Sequence, residues 1–449
     1  MRSQGPGHGL EYAALDAVAH PRYAWGRPVS STTSAATTER RLGVSPVVIL
    51  RLQPTRYPYV CANIARTLGH LGADVHLLHA DARGPDSRSR WLRRSIRLRR
   101  AGSEVETLLS LCSTLAPGSL PILIAVDDPA ALFIDEHADA LAAAYLFPRQ
   151  PAGLVRALSD KGMLHDLCAR LGVPTPWVRI VDSQQALTEA ATSLDYPVVL
   201  KVADPTRRRT RSTAITSSPA ELRAYARDMQ AGPDSTNLLV QQYVPGGATD
   251  AWIFGGYFGQ ASDLRYGGTG RKLRQYPAEA GVTSLGVCEA NERISALTRQ
   301  LATATGYRGL IDIDFRHDPR DDEFKVLDVN PRVGHQFRLF ASASGADVVR
   351  AMYLDLLGMP LEPEAPVAGR RWIVENYDLR AAIPGMARGE LSVAGWIGSL
   401  RGISEAAWFA RDDLAPLAAM LSASLVDVVR LVASRAVRTW RSLRERVGR

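Results

Sequence analysis

Two polarity rhythms divide the chain. Between 46 and 150, short unbroken apolar runs alternate with a stretch of helical period. The runs are Val47-Val48-Ile49-Leu50, Val75-His76-Leu77-Leu78 and Leu120 to Val126; Tyr59 to Leu71 carries the helical period and closes at Gly72. Unbroken runs of this length suit buried parallel strands, and strand, helix and strand in about thirty residues make a βαβ unit. A doubly wound α/β domain is predicted over 46–150. It lacks a GxGxxG turn, so no dinucleotide site is expected there.

From Leu158 the pattern changes. Ser159-Asp160-Lys161 opens a helix that runs through Leu171 and stops at Gly172, with Pro174 and Pro176 beyond. Asp195 to Lys201 reads as a buried strand ending in a lysine, and Leu238 to Gly247 as a strand running into a turn. Farther on, Leu310 to Phe315 alternates apolar and acidic residues. Phe324 to Asn330 alternates again after the polar turn Asp318-Pro319-Arg320-Asp321-Asp322.

Period two puts Asp312 and Asp314 on one face, and Asp328 and Asn330 on one face of the returning strand. A hairpin centred on Arg320 or Asp321 brings both faces to the same side. Three carboxylates and an amide oxygen then converge. Such a cluster is costly unless cations neutralise it, and its hard oxygen donors suit Mg²⁺ or Mn²⁺ with phosphate oxygens. The competing reading is the wet face of an ordinary hairpin. Asp321, Asp322 and Glu323 belong to the turn and are expected in solvent.

The 449 residues allow two to four domains. The formal charge of +8 is carried by arginine clusters, of which Arg83 to Arg100 holds eight. That cluster reads as a solvated basic helix and loop, or as a clamp for an acidic substrate. No nucleic-acid module accompanies the basic stretches, which lack interleaved aromatics. Cys61, Cys112, Cys168 and Cys288 are far apart, against a zinc or disulfide scaffold and in keeping with a reducing cytoplasm. No run has the apolar length of a membrane span, and the N-terminus has no signal-like apolar region. His76, His79, His137 and His165 have no ligand spacing.

Lys161 at a helix start, Lys201 after Pro-Val-Val-Leu, the segment Gln241 to Val244, and Asp314, Asp328, Asn330 and Arg332 occur in a telling order. Ordered so, they resemble the ATP-grasp superfamily, carboxylate–amine ligase type, over roughly residues 150 to 360. The tail Asp328-Val329-Asn330-Pro331-Arg332 resembles its Glu-x-Asn-x-Arg strand end, with Asp in place of Glu. Gly267 to Pro277 resembles the Lys-Leu-Arg-Gln-x-Pro segment of the D-aspartate ligase-like subgroup.

The resemblance implies an ATP-grasp fold of α/β and α+β class, preceded by the doubly wound domain. Its divisions would be a disordered extension at 1–45, the α/β domain at 46–150, a small subdomain at 151–245, a metal and substrate subdomain at 246–365, and a C-terminal extension at 366–449. It implies ATP with Mg²⁺ or Mn²⁺. Lys161 and Lys201 would meet phosphates, and Gln241, Gln242, Tyr243 and Val244 the adenine. Asp250 would meet the ribose, Asp314, Asp328 and Asn330 the metal, and Arg332 the transferring phosphoryl group. Lys272 and Arg274, with Arg271, would hold the substrate carboxylate or its acyl phosphate from a mobile Gly-rich loop.

The activity implied is ADP-forming ligation of a small-molecule carboxylate, expected to be an amino acid, to an amine. Alternatives are a carboxylase or carbamoyl-phosphate-type enzyme that activates bicarbonate, and an inactive nucleotide-binding scaffold. The scaffold draws support from the Asp-for-Glu change and from the glycine-free stretch Asp204 to Ser212, where the family has a Gly-rich phosphate loop. Leu421 to Val447 reads as a basic amphipathic helix. It would pack on the body or on a partner subunit of a homodimer, or lie on an anionic membrane.

Overall fold

The computed structural model describes residues 44–426 except 55–56, 81–83, 99–101, 116–118, 205–212, 230–236 and 278–280. Residues 1–43 of the expected extension over 1–45, the glycine-free loop beyond Asp204 and residues 427–449 of the basic helix lie outside the described residues.

The first apolar runs form a parallel sheet. β1 (Val47–Arg51), α1 (Tyr59–Gly69), β2 (Val75–His79), β3 (Leu92–Arg97), α2 (Glu104–Leu115), β4 (Ile122–Ala125), α3 (Asp128–Glu136) and α4 (Ala138–Ala142) follow in turn, with strand order β3-β2-β1-β4. β1 and β2 are buried at every position, as unbroken apolar runs require. The arginine cluster departs from expectation. Leu92–Arg97 pairs in parallel with β2 as an edge strand, leaving Arg93 and Arg94 exposed along it. Edge position lets one side of a strand carry charge, which a helix-only reading of the basic stretch misses.

A second sheet follows α5 (Leu154–Ser159) and α6 (Lys161–Leu171). It contains β5 (Val178–Val181), β6 (Val198–Val202), β7 (Thr213–Thr216) and β8 (Leu238–Gln242), ordered β5-β8-β6-β7, with α7 (Gln184–Ser193) and α8 (Pro219–Met229). α6 begins where expected because the Asp160 carboxylate accepts from the Gly162 and Met163 amides. It ends at Gly172 in the left-handed region, at φ 64°.

The central sheet has seven strands: β9 (Ala251–Phe258), β10 (Leu264–Tyr276), β11 (Val282–Cys288), β12 (Gly309–Asp318), β13 (Glu323–Asn330), β14 (Arg371–Ile373) and β15 (Ile403–Ala406). Its order is β13-β12-β9-β10-β11-β14-β15. α9 (Glu292–Thr305) and α10 (Val348–Leu356) pack on it, and α11 (Glu375–Ala387) and α12 (Val393–Ser399) form a hairpin between its last two strands. Gly267 to Pro277 is not a loop: all but Pro277 lies in β10, the longest strand. Its glycines admit neighbours. A Cβ on Gly270 would stand 2.8 Å from the Val287 carbonyl oxygen and 3.2 Å from Phe340.

Residues 371–406 complete the central sheet, and one apolar core runs through Val47, Ile49, Tyr59, Ile253, Phe340, Trp372 and Trp408. Largely buried arginines join the parts. Arg66 of α1 donates to Asp413 at 2.9 Å and to the carbonyls of Ala407 and Trp408. Arg338 donates to Glu405 at 2.7 and 2.9 Å and to Asp347 at 2.5 Å. Asp413→Ala leaves the Arg66 guanidinium buried without its carboxylate. It should lower unfolding stability by about 3 kcal/mol in a denaturant titration; a loss within error would mean that Arg66 does not hold the C-terminal segment.

Candidate functional site

β12 and β13 pair with Asp312 opposite Asn330 and Asp314 opposite Asp328. Ile311, Ile313 and Phe315 enter the core shared with α5, α6 and α9. Asp312 and Asp314 therefore face the other side. Each acid is answered by a group from elsewhere in the chain. Lys161, at the first position of α6, reaches Asp328 Oδ1 at 2.9 Å. Lys272 of β10 reaches Asp314 Oδ1 at 2.7 Å. The Gln336 amide donates to Asp312 Oδ1 at 2.7 Å, and Asn330 Nδ2 lies 3.3 Å from Asp312 Oδ2.

Asp312 is 3% exposed. Burial first, then the charge of Asp314, push its carboxyl up to about 7. The loop after β13 holds it closely: a Cβ on Gly334 would lie 2.4 Å from Asp312 Oδ1. Arg332 is buried beside this group. Its Nε donates to Asp128 Oδ1 at 3.0 Å, its Nη2 to Asn330 Oδ1 at 2.9 Å and its Nη1 to the Val333 carbonyl at 2.9 Å. Asp128 stands at the carboxyl end of β4, beside the point where strand order reverses between β1 and β4. Crevices at such points are the usual ligand sites of open α/β sheets. Asp128 and Gln336 carried no periodic signal. Asp128 lay in an Asp-Asp-Pro turn, and Gln336 is four residues past the motif.

Lys201 joins the same region. Its Nζ donates to the Leu327 carbonyl at 3.3 Å, and the Lys161 amide meets the Ala203 carbonyl at the end of β6 at 3.4 Å. Gln241 is buried inside β8, paired with Val178 and Val199, and the Gln242 amide donates to the Trp177 carbonyl. After Gln242 the chain leaves this sheet. Tyr243 and buried Val244 carry it to the hairpin, where Arg316 Nε lies 3.4 Å from the Pro245 carbonyl oxygen. Asp250 spends one oxygen on its own turn, accepting from the Gly247 amide at 2.7 Å, and its other oxygen lies 3.8 Å from His317.

The three cations of the Lys-Leu-Arg segment diverge. Only Lys272 joins the carboxylates. Arg271 pairs with Glu289 at 2.8 Å and lies over the Trp252 ring. Arg274 grips buried Asp378 of α11 with Nε at 2.7 Å and Nη2 at 3.0 Å, and donates to Ser399 at 2.9 Å. The register of β10 against β11 shifts at Arg274, so simple alternation with Lys272 fails there. Arg274, expected to face the substrate, is bonded instead to Asp378 of α11 and Ser399 of α12.

For a divalent cation, Asp314, Asp328 and Asn330 offer hard oxygens on one face. Among the described residues no group of three or more His, Cys, Asp and Glu side chains converges tightly enough to hold an ion. The donor chemistry fits Mg²⁺ or Mn²⁺ only with phosphate oxygens completing the shell. The Lys161–Asp328 and Lys272–Asp314 pairs fit that exchange, because a lysine can pass from carboxylate to phosphate as the metal takes its place. No helix among the described residues is long and apolar enough to cross a membrane.

No protein-family model matches the chain. It is similar to D-aspartate ligase from Enterococcus faecium (strain Aus0004), 24% identical over 242 residues that take in 51% of this chain and 57% of that protein. It is also similar to the C-terminal section of the carbamoyl phosphate synthase large chain from Methanopyrus kandleri, 22% identical over 45% of this chain and 38% of that protein. The chain thus spans a little over half of the first relative and less of the second. Among solved structures, an ADP complex of N5-carboxyaminoimidazole ribonucleotide synthetase superposes with a TM-score of 0.54 at 14% identity, covering 74% of this chain and 82% of that one. These likenesses and the three-sheet architecture define an ATP-grasp fold.

Gly334→Ala tests how tightly the loop positions the cluster. The new methyl must displace Asp312 or the loop, so metal-dependent nucleotide turnover should fall about tenfold or more with the fold retained by circular dichroism. Unchanged turnover would separate the loop from the site.

Proposed function

We propose that the chain is an ATP-dependent carboxylate–amine ligase. The observation that carries this reading is the pairing of hairpin carboxylates with lysines from two other elements, Lys161 with Asp328 and Lys272 with Asp314, beside Lys201. Four carboxylates (Asp128, Asp312, Asp314 and Asp328) face Lys161, Lys201, Lys272 and Arg332, so the site is near neutral. A nucleoside triphosphate arriving with divalent cations adds little net charge and can exchange partners with these groups.

In this reading Lys161 and Lys201 bind the phosphates. The Gln241–Val244 segment lies along the adenine, and Asp250 is the candidate for the ribose. Asp314, Asp328 and Asn330 hold Mg²⁺ or Mn²⁺. The metal supplies charge neutralisation at the β- and γ-phosphates. A substrate carboxylate oxygen bonds to the γ-phosphorus as the bond to ADP breaks. The amine then attacks the acyl carbon, phosphate leaves, and a proton passes from nitrogen to solvent. Arg332, oriented by Asp128, stabilises the transferring charge, and Lys272 holds the anionic end of the acyl phosphate. No side-chain nucleophile is needed. Similarity to a D-aspartate ligase supports an amino acid as substrate.

Bicarbonate activation is the second reading, favoured by similarity to a carbamoyl phosphate synthase section. An isotope-labelled bicarbonate assay separates it from amide formation. Asp328→Ala removes one metal oxygen and the partner of Lys161. It should abolish metal-dependent ADP formation, a loss of about 100-fold or more, while the protein stays folded. Wild-type turnover in that variant overturns the assignment.

A further inference from the structure

A recess opens beside Arg332 that the carboxylate cluster does not use. It holds about 550 Å³, part of it open to solvent, and lies between the parallel domain and the start of β12. Leu123 of β4, Ile134 of α3, Phe147 and Val155 give it an apolar wall, and Leu310 and Arg332 close it on the side of the central sheet. Leu310 shares a strand face with Asp312, two residues on, so the recess adjoins the proposed site.

In a mostly apolar pocket the few polar groups decide what is taken. The charged residues lining this one are Asp135, Arg149 and Arg332. Arg149 is bonded to Asp139, and Glu136, next to Asp135, pairs with Arg156 at 3.1 Å. The Gln150 side chain is held by the Arg308 backbone, accepting from its N–H at 3.1 Å. Asp135 is half-buried and forms no side-chain hydrogen bond or ion pair with the described residues. Burial, then the charge of Glu136, pushes its carboxyl above the ordinary carboxylate value, as an anion without a cation requires. Arg332 has five N–H donors, and its bonds to Asp128, Asn330 and Val333 use three of them.

Helix α3 sets the distance between these two charges. Asp128, its first residue, accepts from Arg332 Nε at 3.0 Å, and Asp135 lies in its last turn. At the rise of an α-helix, Asp128 and Asp135 stand roughly 10 Å apart along the axis. Ala131 and Ile134, on the face of α3 that carries Asp135, line the recess between them. Along α3 the recess thus offers a cation beside the cluster, an apolar middle and an unpaired carboxylate.

We infer that this recess receives the carboxylate substrate, and that the substrate is an ω-amino acid with an aliphatic stem. Its carboxylate lies at Arg332, where the γ-phosphoryl group is transferred; its methylenes lie on the apolar wall, and its ammonium pairs with Asp135. An α-amino acid carries both charges on neighbouring atoms, so it leaves Asp135 without a cation. This substrate class rests on the ligase reading and narrows it. It sets the chain apart from its relative named for aspartate.

Hydroxylamine serves as the amine in the test: its nitrogen bonds to the acyl carbon as phosphate leaves, a proton passes to solvent, and a hydroxamate remains. The full chain is assayed for hydroxamate formation from Mg·ATP with δ-aminovalerate, its α-amino isomer DL-norvaline and the amine-free valerate. Mg·ATP binding is measured separately by calorimetry. δ-Aminovalerate should exceed norvaline and valerate in kcat/KM by about tenfold or more. Asp135→Asn should erase most of the advantage over valerate with the KM for ATP unmoved, while Asp135→Glu keeps it. The inference falls if norvaline or valerate does as well, if Asp135→Asn lowers all three equally, or if none of the three yields hydroxamate from a protein that binds Mg·ATP. Absence of Mg·ATP binding in the wild type would overturn the ligase reading as well.

Discussion

Charge neutralisation of one hairpin face is the constraint on which the rest of the structure depends. The cross-strand register sets Asp314 beside Asp328 and Asp312 beside Asn330, an arrangement a sheet pays for in desolvation and like-charge repulsion. Asp328 is relieved by Lys161 from α6 and Asp314 by Lys272 from β10. Asp312 is held by Gln336 from the following loop. Arg332 binds Asn330 and, across the chain, Asp128 of the parallel domain. The cluster is therefore tolerable only when the parallel sheet, α6 and the central sheet are docked together. The same docking that makes it stable makes it a site.

The C-terminal segment serves that docking. Arg66 is buried and Arg338 largely so, and each pairs with carboxylates beyond residue 340. Burying such ions costs several kcal/mol each before partners are counted, so their contribution lies in fixing one arrangement more than in raising stability. Arg66 ties α1 to the 407–413 turn, and Arg338 ties the loop after β13 to β15. The Arg338 network holds the loop that supplies Gly334 and Gln336. Arg274 does the same for the α11–α12 hairpin, which carries Tyr377. A cation read as chemistry from its neighbours in sequence thus works as a fastener.

What the sequence determined is what local rules govern. Period two in 310–315 and 324–330, with a polar turn between, dictated the hairpin and put its acids on one face; the register confirmed the pairing because a one-residue slip would bury those acids in the core. The start and stop of α6 followed from Asp160 and Gly172. The parallel sheet followed from unbroken apolar runs, and the ordered lysines and acids carried the resemblance to the ATP-grasp fold. Tertiary structure decided the rest. The partner of Arg274 is 104 residues away, and a register shift in β10 turned its side chain from the carboxylates toward α11. Glycines at 267, 268 and 270 read as mobility yet serve close packing within a strand, because what they make room for comes from residues distant in sequence. Asp128, at the start of α3, and Gln336, in the loop after β13, entered the site without any periodic signal. Spacing fixes which face a side chain takes along its own strand; only the packed fold fixes what stands opposite it.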